Sequence, residues 1–196
     1  METAEKKLHK QNMKGAIVDV QPLRTLQEIE DMKQSLRRWC GERDRFMFEF
    51  GINTGLRVSD IVGLRVRDVR GKAYFNVLEG KTKKPRRVFL KGIQPEIEAY
   101  TRDMDPEDWL FPSRKGNGHI TETQAYRALV KAGEMIDRND IGTHTMRKTF
   151  GYHHYKRNKD VAVLQEIFNH SAPSITKRYI GIRQDEIDES LEGFKL

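Results

Sequence analysis

The chain has 196 residues, 37% of them hydrophobic and 33% charged, which suits one globular domain with a full core and excludes a disordered or fibrous chain. Its net charge of +7 favours a polyanionic partner. A lone cysteine, Cys40, excludes an internal disulfide; no apolar run approaches the ~20 residues of a membrane span and no signal-peptide pattern opens the chain, so a cytoplasmic protein is expected.

Residues 1–21 are polar and carry Lys6, Lys7, Lys10 and Lys14, which predicts a frayed basic tail ahead of Pro22. Thr25-Leu-Gln-Glu28 is a capping-box pattern, and Leu26, Ile29, Met32, Leu36 and Trp39 then recur at helical spacing. Cys40 is expected to be a packed thiol. A second helix, from about Glu42 to Asn53, buries Phe46, Met47 and Phe50 and is stopped by Gly55. Arg57 stands just beyond it, at the start of a short helix spanning Ser59 to Leu64. Asp60, three residues on, reads as an acid that orients an arginine or lysine.

From Val66 to Leu90 the period changes to two. Ala73 to Leu78 and Arg87 to Leu90 read as antiparallel strands around the turn from Glu79 to Pro85, with Arg65 to Val69 as a third strand. The turn carries Lys81, Lys83 and Lys84, and Arg86 follows. Such a tip is either a solvated loop or a basic finger that reaches a DNA groove.

Gln94 to Met104 reads as a short helix, Trp109 to Pro112 as a core-anchored turn, and Thr121 opens a long helix to about Arg138. Thr143 or Thr145 caps the helix that carries His144 and Arg147. Three residues apart, those two side chains face the same way near a helix N-terminus, a favourable place for a phosphate. His153 and His154 raise a metal site with His144 and His170, which is set aside: no tight His-x3-His pair with a matching carboxylate is present and no cysteine joins them. Asp160 to Phe168 reads as a helix before His170, and Pro173 opens a short segment that carries Tyr179 and ends at Gly181. Residues 184–196 form an acidic amphipathic helix with Ile187, Leu191 and Phe194 on one side. The division expected is a tail over 1–21, a catalytic domain over 22–183, and a C-terminal helix over 184–196 able to pack on a neighbouring copy.

Two histidines, an arginine and a tyrosine are what covalent attack on a phosphodiester requires, and Arg57 and Lys81 upstream supply a second arginine and a lysine. Arg57, Lys81, His144, Arg147, His170 and Tyr179, with Leu110-Phe-Pro-Ser113 between them, resemble the catalytic set of the tyrosine recombinases, the phage-integrase family. The intervals match in order: 24 residues from Arg57 to Lys81, 90 between the arginines, and nine from His170 to Tyr179. The resemblance covers roughly residues 25 to 183. It departs from the family at Phe168-Asn169-His170, where Leu-Gly-His is usual, at Lys148, where a His is common, and in lacking the N-terminal core-binding domain. The last departure makes it similar to the compact single-domain members.

The resemblance implies a mainly α fold with a small antiparallel sheet, and a site-specific recombinase acting on double-stranded DNA as a homo-tetramer. It implies no cofactor, no metal, no membrane and no small-molecule substrate. Tyr179 would attack the scissile phosphorus, leaving a 3′-phosphotyrosyl link and a 5′-hydroxyl. Arg57, Arg147 and His170 would hold the extra charge of the phosphorane, His144 would act as base, and Lys81 as acid. Lys83, Lys84, Arg86 and Lys148 are expected to contact the DNA. A type IB topoisomerase-like enzyme and a regulator that has lost catalysis are the alternatives.

Overall fold

The computed structural model describes residues 19–80 and 85–195, so the tail lysines Lys6, Lys7, Lys10 and Lys14 and the tip lysines Lys81, Lys83 and Lys84 lie outside the described residues. Helix α1 (Leu26–Trp39) begins at the expected capping box. Thr25 Oγ1 accepts the Glu28 N–H at 3.1 Å, and Glu28 Oε2 accepts the Thr25 N–H at 2.9 Å. Met32 and Leu36 are fully buried, but Leu26 and Trp39, at the two ends, are exposed. The apolar stripe therefore covers only the middle of this helix.

Helix α2 (Glu42–Thr54) is packed on several sides, by α1, α6 (Glu122–Glu134) and α7 (Thr143–Asn158). Phe46, Met47, Phe48 and Phe50 are all fully buried along it, so its middle turn is apolar on several sides while Glu42 to Arg45 keep its start polar. Phe46 stacks on Tyr100 with ring centroids 4.2 Å apart, and Phe111 completes the aromatic cluster. Gly55 ends α2 in the left-handed conformation, φ 62°. A Cβ at Gly55 would meet the Phe150 ring at 2.5 Å, so backbone conformation and space both demand glycine there.

Helix α3 (Val58–Val62) follows, with Arg57 as its N-cap. The expected third strand is absent: residues 66–69 form a short helix, α4 (Val66–Val69). Val66 and Val69, three apart, are both fully buried, which one helical turn achieves and strand alternation does not. Asp68 accepts the Arg65 N–H at 2.8 Å and closes the turn. Arg65 keeps only an isolated bridge to Trp109. Among the described residues the sheet is a two-stranded antiparallel ladder, β1 (Tyr74–Leu78) with β2 (Pro85–Phe89). Its register pairs Phe75 with Val88 and Val77 with Arg86, so Arg86 shares the inner face.

Two helices end earlier than their patterns predict. After a 3-10 turn, α5 (Gln94–Thr101) stops because the chain beyond it wraps the Arg70 guanidinium, which donates to the Thr101 and Met104 carbonyls. Helix α6 stops at Glu134 rather than Arg138, because the Arg138 N–H turns back to Gly133 O at 2.9 Å and Asp137 takes φ 57°. Helix α7 spans both halves of the core. Met146 packs with the α2 cluster, and Tyr152 and Tyr155 pack with Leu164 of α8 (Val161–Phe168), Phe168 and Ile180. At Gly151 a Cβ would meet Ile180 at 2.5 Å and Phe168 at 2.8 Å, so this glycine lets α8 and α9 (Pro173–Tyr179) come down onto α7. The last helix, α10 (Ile182–Leu191), starts two residues before its predicted position. No helix among the described residues is long and apolar enough to cross a membrane.

Helix α8 ends at Asn169, whose φ of 52° is left-handed. The Asn169 and His170 amides then return to the Glu166 and Gln165 carbonyls, both at 3.0 Å, and aim His170 inward. Glycine at 169 is expected to leave the thermal midpoint near that of the parent. Valine there should cost roughly 1–2 kcal/mol and lower the midpoint by roughly 2–8 °C, because a β-branched residue is strained in that conformation. A valine variant melting with the parent would contradict this.

Candidate active site

The C-terminal end of α2 is where the site is assembled. A helix end leaves carbonyl oxygens without partners and carries partial negative charge. Two guanidinium groups supply the missing donors. Arg147, projecting from α7, donates to Gly55 O at 2.5 Å and to Phe168 O at 3.0 Å. Arg86, on the inner face of β2, donates to Thr54 O at 2.8 Å and Gly55 O at 3.4 Å. Arg57, leaving the Gly55 turn, pairs with Glu79 Oε2 at 2.6 Å. The other Glu79 oxygen lies 3.7 Å from Arg86 and 3.8 Å from Arg147. Glu79 is 2% exposed, so a buried carboxylate stands at the centre of three guanidinium groups.

Burial, with Arg57 and Arg86 beside it, lowers the Arg147 pKa to about 10, against the opposing pull of Tyr179 and Glu79. Arg86 is shifted the same way by burial, with Glu79 opposing. Both remain cations near neutral pH. The Phe168 ring lies 4.4 Å from the Arg147 guanidinium carbon and covers its face. Phe168 and Asn169, two departures from the usual Leu-Gly-His, thus have physical roles: one covers Arg147, and the other takes the left-handed position that glycine would hold.

Tyr179, at the end of α9, is half-buried. Its hydroxyl lies 3.0 Å from His144 Nδ1, and its ring meets the His170 ring edge-on at 5.2 Å. Burial pushes the Tyr179 pKa up to about 12; Arg147, which also hydrogen-bonds to the hydroxyl, and Arg57 act the other way. His170 Nδ1 lies 3.0 Å from Thr176 Oγ1, and burial, then Arg147 and Arg57, lower the His170 pKa below its ordinary value. A cleft of about 340 Å³ opens in front of the cluster, bounded by Arg57, Ser59, Gly80, Thr143, His144 and Arg147. The helix start that shapes it is capped from Thr145, whose Oγ1 accepts the Gly142 N–H at 3.0 Å. Glu122 also lines it, and the groups there that suit a phosphate are Arg57, His144 and Arg147, with His144 in turn against the Tyr179 hydroxyl.

Five of the six residues expected to act together therefore converge: Arg57, His144, Arg147, His170 and Tyr179. Lys81 lies outside the described residues, as do Lys83 and Lys84. The structure places three further expected residues. Asp60 Oδ1 accepts the Gly80 N–H at 2.9 Å and fixes where the hairpin tip begins, and its charge favours the Arg86 cation. Arg86 is turned under the hairpin by strand register, 3.7 Å from Glu79. Lys148 is directed to Val20 O at 2.5 Å and Asp19 Oδ1 at 3.7 Å, with its ammonium 5.5 Å from the centre of the Tyr179 ring. His153 is tied to the Leu23 carbonyl at 3.0 Å. Glu79 was missed by sequence reasoning. The signal was parity: Phe75, Val77 and Glu79 alternate onto one face, and an acid placed inward needs a cation.

A mainly helical domain with one antiparallel hairpin, and a tyrosine set among arginines and histidines, define a class: the catalytic domain of a tyrosine recombinase. Residues 24–186 match the profile of the phage integrase family, and the chain belongs to that family, a class of enzymes that cleave and rejoin DNA. It is 50% identical over 167 residues to the probable integrase/recombinase YoeC of Bacillus subtilis strain 168, covering 85% of this chain and 92% of that one. It is 25% identical over 201 residues to tyrosine recombinase XerD of Agrobacterium fabrum, covering 90% of this chain and 60% of the relative. In fold it is similar to the Tn1549 transposon integrase in complex with circular intermediate DNA. That match has a TM-score of 0.66 at 16% identity, over 86% of this chain and 66% of that one. The chain thus spans nearly all of YoeC but less than two thirds of the XerD relative.

The central carboxylate makes a test. Glu79→Gln leaves three guanidinium groups facing one another and is expected to be destabilising, by up to about 3–5 kcal/mol in the fully buried limit. Sulfate or phosphate should raise the thermal midpoint of this variant more than that of the parent, by occupying the vacated anion position. Equal responses to sulfate would show that Glu79 is not the charge these arginines hold.

Proposed function

We propose that this chain is a site-specific DNA recombinase that breaks and rejoins double-stranded DNA through Tyr179. The observation that supports it best is the 3.0 Å contact between the Tyr179 hydroxyl and His144, beside the buried Arg147 and the Arg57 that lines the cleft. In the first step the Tyr179 oxygen forms a bond to the scissile phosphorus while the bond to the 5′-oxygen breaks. His144 takes the phenolic proton and Lys81 delivers one to the departing 5′-oxygen. The 3′-phosphotyrosyl link keeps the energy of the broken bond, so a 5′-hydroxyl from a partner strand reverses the step. Arg57, Arg147 and His170 hold the added charge of the pentacoordinate phosphorane. No cofactor or metal enters the scheme, and the cytoplasm is the proposed compartment.

Incubation in EDTA with a library of nicked duplexes randomised around the nick should trap the parent covalently on DNA, and the trapped sequences then define a substrate. Tyr179→Phe should trap none. Strand exchange between two such sites separates a recombinase from an enzyme that only nicks and relaxes. A covalent adduct with the Phe variant would remove Tyr179 from the reaction.

Assembly into a homo-tetramer on DNA is part of the proposal. Glu186 ties α10 to its own domain through Tyr155 and through Lys177 at 2.7 Å, and Glu189 pairs with Lys156. Ile187, Leu191 and Phe194 are nonetheless 43%, 58% and 67% exposed, an apolar surface suited to a neighbouring copy. Removing residues 190–196 leaves those ties in place. The truncated protein is expected to melt with the parent, form the covalent adduct, and lose the higher-order complexes on DNA seen by native gel or light scattering. Complexes of unchanged size would place the assembly surface elsewhere.

A further inference from the structure

Helix α9 carries Thr176 and Tyr179 three residues apart, and each engages a histidine through its Nδ1. Tyr179 meets His144. Thr176, which is 0% exposed, places Oγ1 3.0 Å from His170 Nδ1. A helical threonine ordinarily returns its hydroxyl to the carbonyl four residues back. Here that carbonyl, Ala172 O, already accepts the Ile175 N–H at 3.2 Å and the Thr176 N–H at 3.3 Å, and Oγ1 stands 3.5 Å from it. That 3.5 Å hydrogen bond is long and competes with two N–H donors for one carbonyl, whereas His170 Nδ1 at 3.0 Å is the nearer acceptor for the hydroxyl proton.

Building on the proposed function, we infer that Thr176 is a positioning residue: its hydroxyl donates to His170 Nδ1 and so fixes the tautomer with the proton on Nε2. A neutral imidazole then presents an N–H donor from the opposite edge of its ring, where a phosphate oxygen beside Arg147 needs one. With the other tautomer, Nε2 would present a lone pair to that oxygen and repel it. Among the described residues, the charged and titratable groups around the His170 ring are Arg147 of α7, Tyr179 of α9, and Arg57 ahead of α3. The arginines disfavour an imidazolium, so the donor has to come from tautomer choice rather than from protonation. Because positions 176 and 179 share one helical face, the nucleophile and the hydroxyl that orients His170 are carried by one rigid turn.

The test compares Thr176→Val, isosteric without the hydroxyl, with Thr176→Ser, which retains it. ¹⁵N-detected NMR of the DNA-free protein reads the His170 tautomer. Single-turnover adduct formation on the trapped nicked duplex, from mildly acidic to alkaline pH, reads its consequence. The parent and the Ser variant should show the Nε2–H form and cleave within a few-fold of each other. The Val variant should shift toward the Nδ1–H form and cleave roughly 10- to 100-fold more slowly at neutral pH, the range for losing an orienting hydrogen bond behind a reacting group. Its deficit should narrow as the pH falls and His170 protonates, with DNA affinity and thermal midpoint near those of the parent. An Nδ1–H tautomer in the parent, or a folded Val variant that cleaves as fast as the parent at neutral pH, would overturn the inference. If the parent forms no Tyr179 adduct, the proposed function fails, and the NMR arm alone still decides the Thr176–His170 bond. If the Val variant does not fold, the parent and Ser spectra decide it.

Discussion

The site depends on one carbonyl oxygen, that of Gly55. It caps the most deeply packed helix, and Arg147 and Arg86 both donate to it. Burying a guanidinium is costly unless its fork of donors is satisfied and its charge balanced. A helix C-terminus offers both remedies at once, carbonyls that lack partners and the negative end of the macrodipole. The left-handed turn that exposes this carbonyl needs glycine for its φ of 62° and for the Phe150 ring against it. The same turn delivers Arg57 two residues later to the cleft. One glycine therefore ends a helix, anchors two arginines and aims a third.

Glu79 converts this arrangement from mutual repulsion into a network. Three cations around one carboxylate leave an excess of positive charge facing a cleft that Arg57, His144 and Arg147 line. Arg147 keeps its charge near neutral pH even with its pKa lowered to about 10. The cluster is thus held together by an internal anion while still favouring an external one. The preorganisation is set by backbone carbonyls and packing, so the donors do not have to be rearranged when charge develops.

Much of this was legible in the sequence because it depends on local signals. The capping box at Thr25, the stop at Gly55, and the three-residue spacing of His144 and Arg147 each dictate local geometry without reference to the rest of the chain. What failed was set by longer-range constraints. Residues 66–69 read as a strand because they open a stretch, to Leu90, whose overall period is two. Burial of both Val66 and Val69 then required a helical turn, which a β-branched pair tolerates at modest cost. Arg86 read as part of a basic tip because it follows three lysines. Hairpin register, invisible until the turn length is known, paired it with Val77 on the inner face. Lys148 follows Arg147 in sequence, but the next position on a helix lies about 100° round, and there it meets Val20 and Asp19.

The electrostatics of Tyr179 bear on how its proton leaves in the proposed reaction. Although Arg147 and Arg57 both favour the phenolate, burial outweighs them and the pKa stands at about 12. At neutral pH the ionised fraction is roughly one in 10⁵, too small to serve as a preformed nucleophile. A bound phosphodiester would bring its own negative charge between those arginines and the phenol, making a free phenolate still less favourable. In the proposed reaction the proton would therefore pass to His144 as the oxygen–phosphorus bond forms, along the 3.0 Å contact. In that event the arginines act mainly on the phosphorane, whose added charge appears next to donors already in place. Their attraction is then stronger in the transition state than for the resting tyrosine, which is the condition under which it accelerates the reaction.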